Sequence, residues 1–155
     1  MSTKKKLFSK FDHIGIAVEN LEMATKLYGE VFTLGKYKIV TLPERGIRLA
    51  LFDLKGIKIE LLESLKEDSV IARFIRKRGP GLHHICFGVK NLDTVLSQLA
   101  QNGIQTIDTP RMGSEGKRVV FFKPETTLGV LIELIEDKKT IERVNKDTPC
   151  QKREA

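Results

Sequence analysis

The sequence predicts an α+β fold built from two tandem β-α-β-β-β modules, and three observations point to it. The stretch Phe11-Asp12-His13-Ile14-Gly15-Ile16-Ala17-Val18 has a counterpart in Leu82-His83-His84-Ile85-Cys86-Phe87-Gly88-Val89. A later Ile59-Glu60-Leu61 has its counterpart in Ile132-Glu133-Leu134. The spacings also repeat: 47 residues from His13 to Glu60 and 49 from His84 to Glu133, with 71 between the histidines and 73 between the glutamates. Self-similarity at one offset marks two copies of a supersecondary unit, and 155 residues suit a single domain made of both.

Each element follows from local pattern. Residues 11–18 alternate large and small side chains, as a strand does. Asn20 caps a helix through about Phe32, with Leu21, Ala24, Leu27, Tyr28 and Val31 as its apolar stripe. Strands follow at 36–42, 48–54 and 57–63, separated by turns at Pro43–Gly46 and Lys55-Gly56. Asp68 or Ser69 starts a connecting helix with Val70, Ile71, Phe74 and Ile75 buried, and Gly79-Pro80-Gly81 stops it. The second module has a strand at 83–89, then a helix capped by Asn91 that turns Leu92, Val95, Leu96 and Leu99 inward and ends at Gly103. Short strands near 105–107, 117–123 and 129–136 complete it. The organisation is thus a basic N-terminal extension (1–10), one domain (11–137) and a charged C-terminal tail (138–155). Within the domain, module 1 spans 11–65, the connecting helix 66–80 and module 2 81–137. The tail lacks apolar periodicity and is expected to be partly disordered.

Composition excludes several classes of function. Hydrophobic content of 41% and charged content of 30% are those of an ordinary globular protein, and the longest apolar runs cannot span a bilayer. The net charge of +7 is concentrated in Lys4–Lys6 and the tail, without the interleaved aromatics of single-strand binders, so no nucleic acid partner is expected. No apolar signal segment follows Lys4–Lys6. Cys86 and Cys150 form no paired framework, which fits a reducing, cytoplasmic setting.

Sidedness singles out a candidate site. Strand side chains alternate faces, so His13, Gly15 and Ala17 oppose Ile14, Ile16 and Val18, and His84, Cys86 and Gly88 oppose Ile85, Phe87 and Val89. Glu60 opposes Ile59 and Leu61, and Glu133 opposes Ile132 and Leu134. His13, Glu60, His84 and Glu133 therefore share the face away from the bulky aliphatic row, as ligands of one divalent cation would. Alone, each has an ordinary reading, a hydrogen-bonded histidine or an exposed strand carboxylate. Neighbouring His83, Glu63 and Glu136 fall on the opposite face if the strands stay regular. Gly113-Ser114-Glu115-Gly116-Lys117 lacks P-loop spacing and reads as a flexible turn or closing loop. Glu44, in Leu42-Pro43-Glu44-Arg45-Gly46, reads on residue chemistry alone as part of a solvated turn.

With these motifs in place, the chain from about Lys10 to Glu136 resembles the vicinal oxygen chelate (glyoxalase/bleomycin-resistance) superfamily, and within it the methylmalonyl-CoA epimerases. The more specific signals are Leu42-Pro43-Glu44-Arg45-Gly46, Ile59-Glu60-Leu61-Leu62-Glu63, Asp68-Ser69 with Ala72-Arg73-Phe74, Gly81-Leu82-His83-His84-Ile85, and Pro124 followed by Gly129-Val130-Leu131-Ile132-Glu133-Leu134. The resemblance implies a curved, mainly antiparallel sheet around the metal, with helices on the outer face. It implies His13, Glu60, His84 and Glu133 as ligands of one divalent ion, typically Co2+, with Mn2+, Ni2+ or Zn2+ substituting. Some family members carry Gln where this chain has Glu60. It implies Glu44 and Glu133 as the acid/base pair, an acyl-CoA substrate inverted at its α-carbon through a chelated enolate, and a homodimer. Arg45, Arg48, Lys117 and Arg118 are candidates for the CoA phosphates. Two alternatives within the superfamily are a glyoxalase I-type lactoylglutathione lyase and a non-enzymatic, resistance-type binder of small molecules.

Overall fold

The computed structural model describes residues 6–137; the expectations for Cys150 and the 138–155 tail lie outside them. Module 1 runs β1 (Lys10–Val18), α1 (Leu21–Lys26), β2 (Tyr37–Leu42), β3 (Ile47–Leu54) and β4 (Ile57–Ser64). After α2 (Val70–Arg78), module 2 repeats the order with β5 (Gly81–Val89), α3 (Leu92–Ala100), β6 (Arg111–Met112), β7 (Arg118–Phe121) and β8 (Ile132–Glu136). The eight strands form one curled sheet in the order β2-β3-β4-β1-β5-β8-β7-β6. Five of its seven pairings are antiparallel; β1–β4 and β5–β8 are parallel. Antiparallel β1 and β5 therefore join the modules at the centre, and each is flanked by the last strand of its own module. That adjacency brings the His strand and the Glu strand of both modules together.

The helices start as their sequences dictate. The side chains of Asn20, Ser69 and Asn91 accept the amides of Met23, Ala72 and Thr94, respectively. A second device repeats in both modules. Glu63 at the end of β4 accepts the Leu21 amide, and Glu136 at the end of β8 accepts the Leu92 amide, each at 3.0 Å. These contacts confirm that Glu63 and Glu136 face away from the site. They place a carboxylate at each helix N-terminus, where the macrodipole favours negative charge.

Under α1, Leu21 and Ala24 pack with Ile16, Val18, Phe52 and Leu61; under α3, Leu92 and Val95 pack with Val89, Val120 and Leu134. Fully burying one such leucine is worth about 1.5–3 kcal/mol. The bulky row thus lies beneath the two outer helices. The connecting helix differs: Ile71 of α2 packs on Ala17, Leu49 and Leu62, on the concave face that also carries the histidines. So α2 closes one end of the half-barrel rather than backing it. Two local departures have physical causes. The helix from Asn20 widens to a π-helical turn at Leu27–Val31, so Leu27, Val31 and Phe32 face solvent instead of completing the stripe. The strand expected near 105–107 shrinks to a single bridge, Thr106 to Phe122, and the short β6 forms later.

Candidate metal centre

The four side chains brought together by β1, β4, β5 and β8 converge in the concave face. His13 Nε2 lies 3.1 Å from His84 Nε2 and 3.1 Å from Glu133 Oε2. His84 Nε2 is 3.0 Å from the same carboxylate oxygen. Glu60 Oε2 is 3.6 Å from His13 Nε2 and 3.7 Å from His84 Nε2. All four residues are buried. Adjacent ligands at about 2.1 Å from one ion stand about 3.0 Å apart in an octahedron and about 3.4 Å apart in a tetrahedron, so the donor set fits a divalent cation. Two imidazole nitrogens and two carboxylates turned on one point need protons or a cation between them.

Electrostatics distinguish the members of the cluster. Burial pushes the Glu60 carboxyl up, while Glu133 is held down at about 2: burial opposes this, but hydrogen bonds to His13 and His84 outweigh it. For His13, burial lowers the pKa, yet the Asp12, Cys86 and Glu133 contacts raise it well above the usual imidazole range.

Behind the ligands stand two residues that strict strand alternation does not place there. Register slips in the β1–β5 ladder make Asp12 and His83 the unpaired residues just before His13 and His84. In a bulge the extra residue leaves the strict alternation of faces. The opposite-face placement of His83 is therefore corrected: its Nδ1 lies 2.9 Å from His84 Nδ1, and its ring packs edge-on against Phe74 of α2. Asp12 is fully buried, and its Oδ1 accepts from His13 Nδ1 at 2.9 Å and from Lys58 Nζ at 3.4 Å. The Lys10 ammonium stands 3.0 Å from Oδ2, although too poorly aligned for a hydrogen bond. With Asp12 accepting at Nδ1, His13 offers its Nε2 lone pair to the centre. Gly15 is required by close approach: a Cβ there would sit 2.1 Å from His84 Cε1. Its counterpart in the second module, Cys86, is buried against His13 with its thiol pushed up to about 12 by burial.

The centre opens into a cavity of about 700 Å³. Its walls include apolar Leu49, Leu62, Ile71 and Phe121 and the cations Arg45, Arg73, Lys77 and Arg111. Of the four basic residues expected near CoA phosphates, only Arg45 lines it. Arg48 is paired with Glu63, and Arg118 with Asp93 and Glu136, on the outer face. Lys117 is not part of the wall. The 113–117 segment is a hairpin tip that reaches the centre, where the Ser114 hydroxyl donates to Glu60 Oε1 at 3.3 Å. Glu44 stands apart. It lies in a 3-10 turn (Pro43–Arg45) at the rim, its side chain is 66% exposed, and it lines a neighbouring depression with Lys66, Asp68 and Arg73.

Comparison with known proteins agrees with this geometry. Residues 12–121 match the family model of the glyoxalase/bleomycin resistance protein/dioxygenase superfamily. The chain is 40% identical over 131 residues to the uncharacterised protein YqjC of Bacillus subtilis (strain 168), covering 84% of this chain and 94% of that one. It is 35% identical over 127 residues to the mitochondrial methylmalonyl-CoA epimerase of Mus musculus, covering 81% and 71%. The crystal structure of methylmalonyl-CoA epimerase from Mycobacterium tuberculosis superposes with a TM-score of 0.78 at 34% identity, covering 86% of this chain and 91% of that one. A Streptomyces coelicolor methylmalonyl-CoA epimerase variant in complex with 2-nitronate-propionyl-CoA gives 0.79 at 31%, covering 85% and 96%. The chain belongs to the methylmalonyl-CoA epimerase family of the glyoxalase/bleomycin resistance protein/dioxygenase superfamily.

Proposed function

We propose that the chain is a metal-dependent isomerase that inverts the α-carbon of methylmalonyl-CoA, with His13, Glu60, His84 and Glu133 holding the ion. The observation that carries this reading is the convergence of both imidazole Nε2 atoms on Glu133 Oε2 within 3.1 Å at the floor of the cavity, with Glu60 Oε2 3.6 and 3.7 Å from the same two nitrogens. When bound, the cation supplies positive charge against the negative charge that develops on the substrate as its α-proton leaves, a contribution of several kcal/mol.

The chain's own residues supply the rest. Apolar walls at Leu49, Leu62 and Ile71 exclude water around the reacting carbon. Arg45, Arg73, Lys77 and Arg111 give the cavity a cationic lining that suits the phosphates of an acyl-CoA. Inversion requires one group on each face of the α-carbon, the first removing the proton and the second returning it. We assign these roles to Glu133, on the cavity floor, and Glu44, at its rim. Glu44 neighbours Arg45, which lines the cavity, and its assigned role requires it to turn inward from its exposed position. The reading extends to cobalt as the ion and to a homodimer, both on the family resemblance, and to a cytoplasmic setting, on a sequence whose two cysteines form no disulfide framework.

The test is α-carbon exchange of methylmalonyl-CoA in heavy water, with protein stripped of metal and then restored with cobalt. Metal-dependent deuterium uptake with inversion is the expected result. No exchange by cobalt-replete protein overturns the assignment, and lactoylglutathione formation from a glutathione hemithioacetal would replace it with the lyase reading.

A further inference from the structure

The 113–117 hairpin tip is tight. The Gly113 amide donates to the Lys117 carbonyl at 2.8 Å and the Gly116 amide to the Gly113 carbonyl at 3.1 Å. Gly116 sits at φ +66°, and a Cβ on Gly113 would meet Val119 at 2.8 Å. These contacts fix the tip as one tight turn and set where its side chains project. Ser114 reaches Glu60, and Glu115 Oε2 accepts from Lys58 Nζ at 2.7 Å. The Lys58 ammonium, largely buried, also donates to Asp12 Oδ1 at 3.4 Å, and Asp12 Oδ1 accepts from His13 Nδ1 at 2.9 Å. Lys58 follows the site face of β4, two residues before Glu60 and opposite His13 in the parallel ladder. Two ligands on different strands thus connect to one loop, Glu60 through Ser114, and His13 through Asp12, Lys58 and Glu115.

We propose that Lys58 and Glu115 are positioning residues of the metal centre: their ion pair seats the hairpin tip so that Ser114 fixes the Glu60 carboxylate while Lys58 fixes Asp12 behind His13. A buried ammonium shared by two carboxylates is held by geometry on both sides, since losing either partner leaves charge uncompensated. Outer groups that orient metal ligands set affinity as well as direction, and removing one weakens binding about 10–100-fold. The pair acts on retention of the ion, which a contact serving fold stability alone would leave unchanged.

This inference rests on the metal-site reading above but not on the epimerase activity. The experiment loads the full chain with Co2+ and follows its loss to excess chelator by the cobalt absorption band. It compares wild type, Glu115→Gln, Ser114→Ala, the double variant, and Lys58→Arg. The expected result is about ten-fold faster cobalt loss for Glu115→Gln, little further loss in the double variant, and near wild-type retention in Lys58→Arg. Removing one partner of the Lys58 ammonium should also lower the melting temperature of the metal-free Glu115→Gln protein, so the rate of cobalt loss and its non-additivity with Ser114→Ala are the deciding readouts. Unchanged cobalt loss in Glu115→Gln overturns the inference, as do fully additive Ser114 and Glu115 effects or a lowered melting temperature without faster loss. Wild-type protein that retains cobalt yet fails to epimerise refutes the activity alone. Wild-type protein that takes up no cobalt refutes the metal site and this inference with it.

Discussion

Nδ1 of His83 lies 2.9 Å from Nδ1 of His84, and this contact occupies the same place in module 2 that the Asp12–His13 contact occupies in module 1. In each, the residue just before the ligand is bulged out of the β1–β5 ladder and turned back on the ligand's ring. The chemistry differs between the halves. Asp12 is an anion flanked by Lys10 and Lys58, whereas burial and the neighbouring His84 hold the His83 pKa down at about 4, leaving a neutral imidazole. A neutral His83 accepts at Nδ1 from the Nδ1–H of His84 and fixes the tautomer that presents Nε2 to the ion. The two imidazoles are therefore unequal donors, with His13 the more strongly polarised.

Replacing His83 tests that arrangement. His83→Phe keeps the packing against Phe74 but removes the acceptor, and the metal Kd should rise about 10–100-fold. His83→Asn, whose amide oxygen can accept, should lose less. Chelator competition measures both; equal affinities for wild type and His83→Phe would remove His83 from the site.

The contrast between His83 and Glu60 shows where the sequence was legible. Period-two alternation placed Glu60, Glu133, Glu63 and Glu136 on their observed faces because β4 and β8 run without register slips. It misplaced His83 because one extra residue in a ladder inverts the alternation, and nothing in Gly81-Leu82-His83-His84 announces a bulge. Asp12 escaped for the same reason. Ser114 and Glu115 read in the sequence as part of a flexible turn or closing loop, since a hairpin tip meets the centre through tertiary placement rather than through periodicity. The capping roles of Glu63 and Glu136 likewise became visible only once helix and strand were side by side.

Glu44 is the assigned base most separable from the fold. Its side chain is exposed at the rim and touches none of the four ligands, so Glu44→Gln should leave melting temperature and cobalt content unchanged. Loss of a general base costs about 10²–10⁴-fold, and turnover should fall by that factor. Deuterium uptake and inversion, measured separately for each substrate configuration, check it. Full inversion by Glu44→Gln would strike Glu44 from the mechanism.

Glu63 gives a pH signature independent of the metal. Burial alone would raise its pKa, but the Arg48 guanidinium and the Leu21 amide more than offset burial, and the folded value lies below the ordinary 4.5. A depressed carboxyl stabilises the fold above its unfolded value and loses that contribution as pH falls through the folded one. Glu63→Gln should therefore lower the melting temperature of metal-free protein by about 2–4 °C at pH 7, as expected for a net loss of ~1 kcal/mol. The gap to wild type should narrow below about pH 4.5. A gap that is constant from pH 7 to pH 3.5 would contradict the pairing seen in the structure.

Metal uptake should release protons, because the same raised pKa that protonates His13 in the metal-free site opposes coordination. Burial pulls that pKa down, and the Asp12, Cys86 and Glu133 contacts push it well above 6.5, so metal-free His13 is protonated at neutral pH. Its contribution to metal-free stability is complete below the unfolded value and disappears as pH rises through the folded one. Coordination by Nε2 requires that proton to leave, and Glu60, raised by burial, gives up any it holds in the same step. Titration calorimetry of Co2+ into metal-free protein, in two buffers of different ionisation enthalpy, should report about one proton released per ion near pH 7. The apparent affinity should rise about ten-fold per pH unit over the same range. Binding that releases no proton and holds its affinity from pH 6 to pH 8 would show that His13 is already neutral, and that Asp12 orients the ring without charging it.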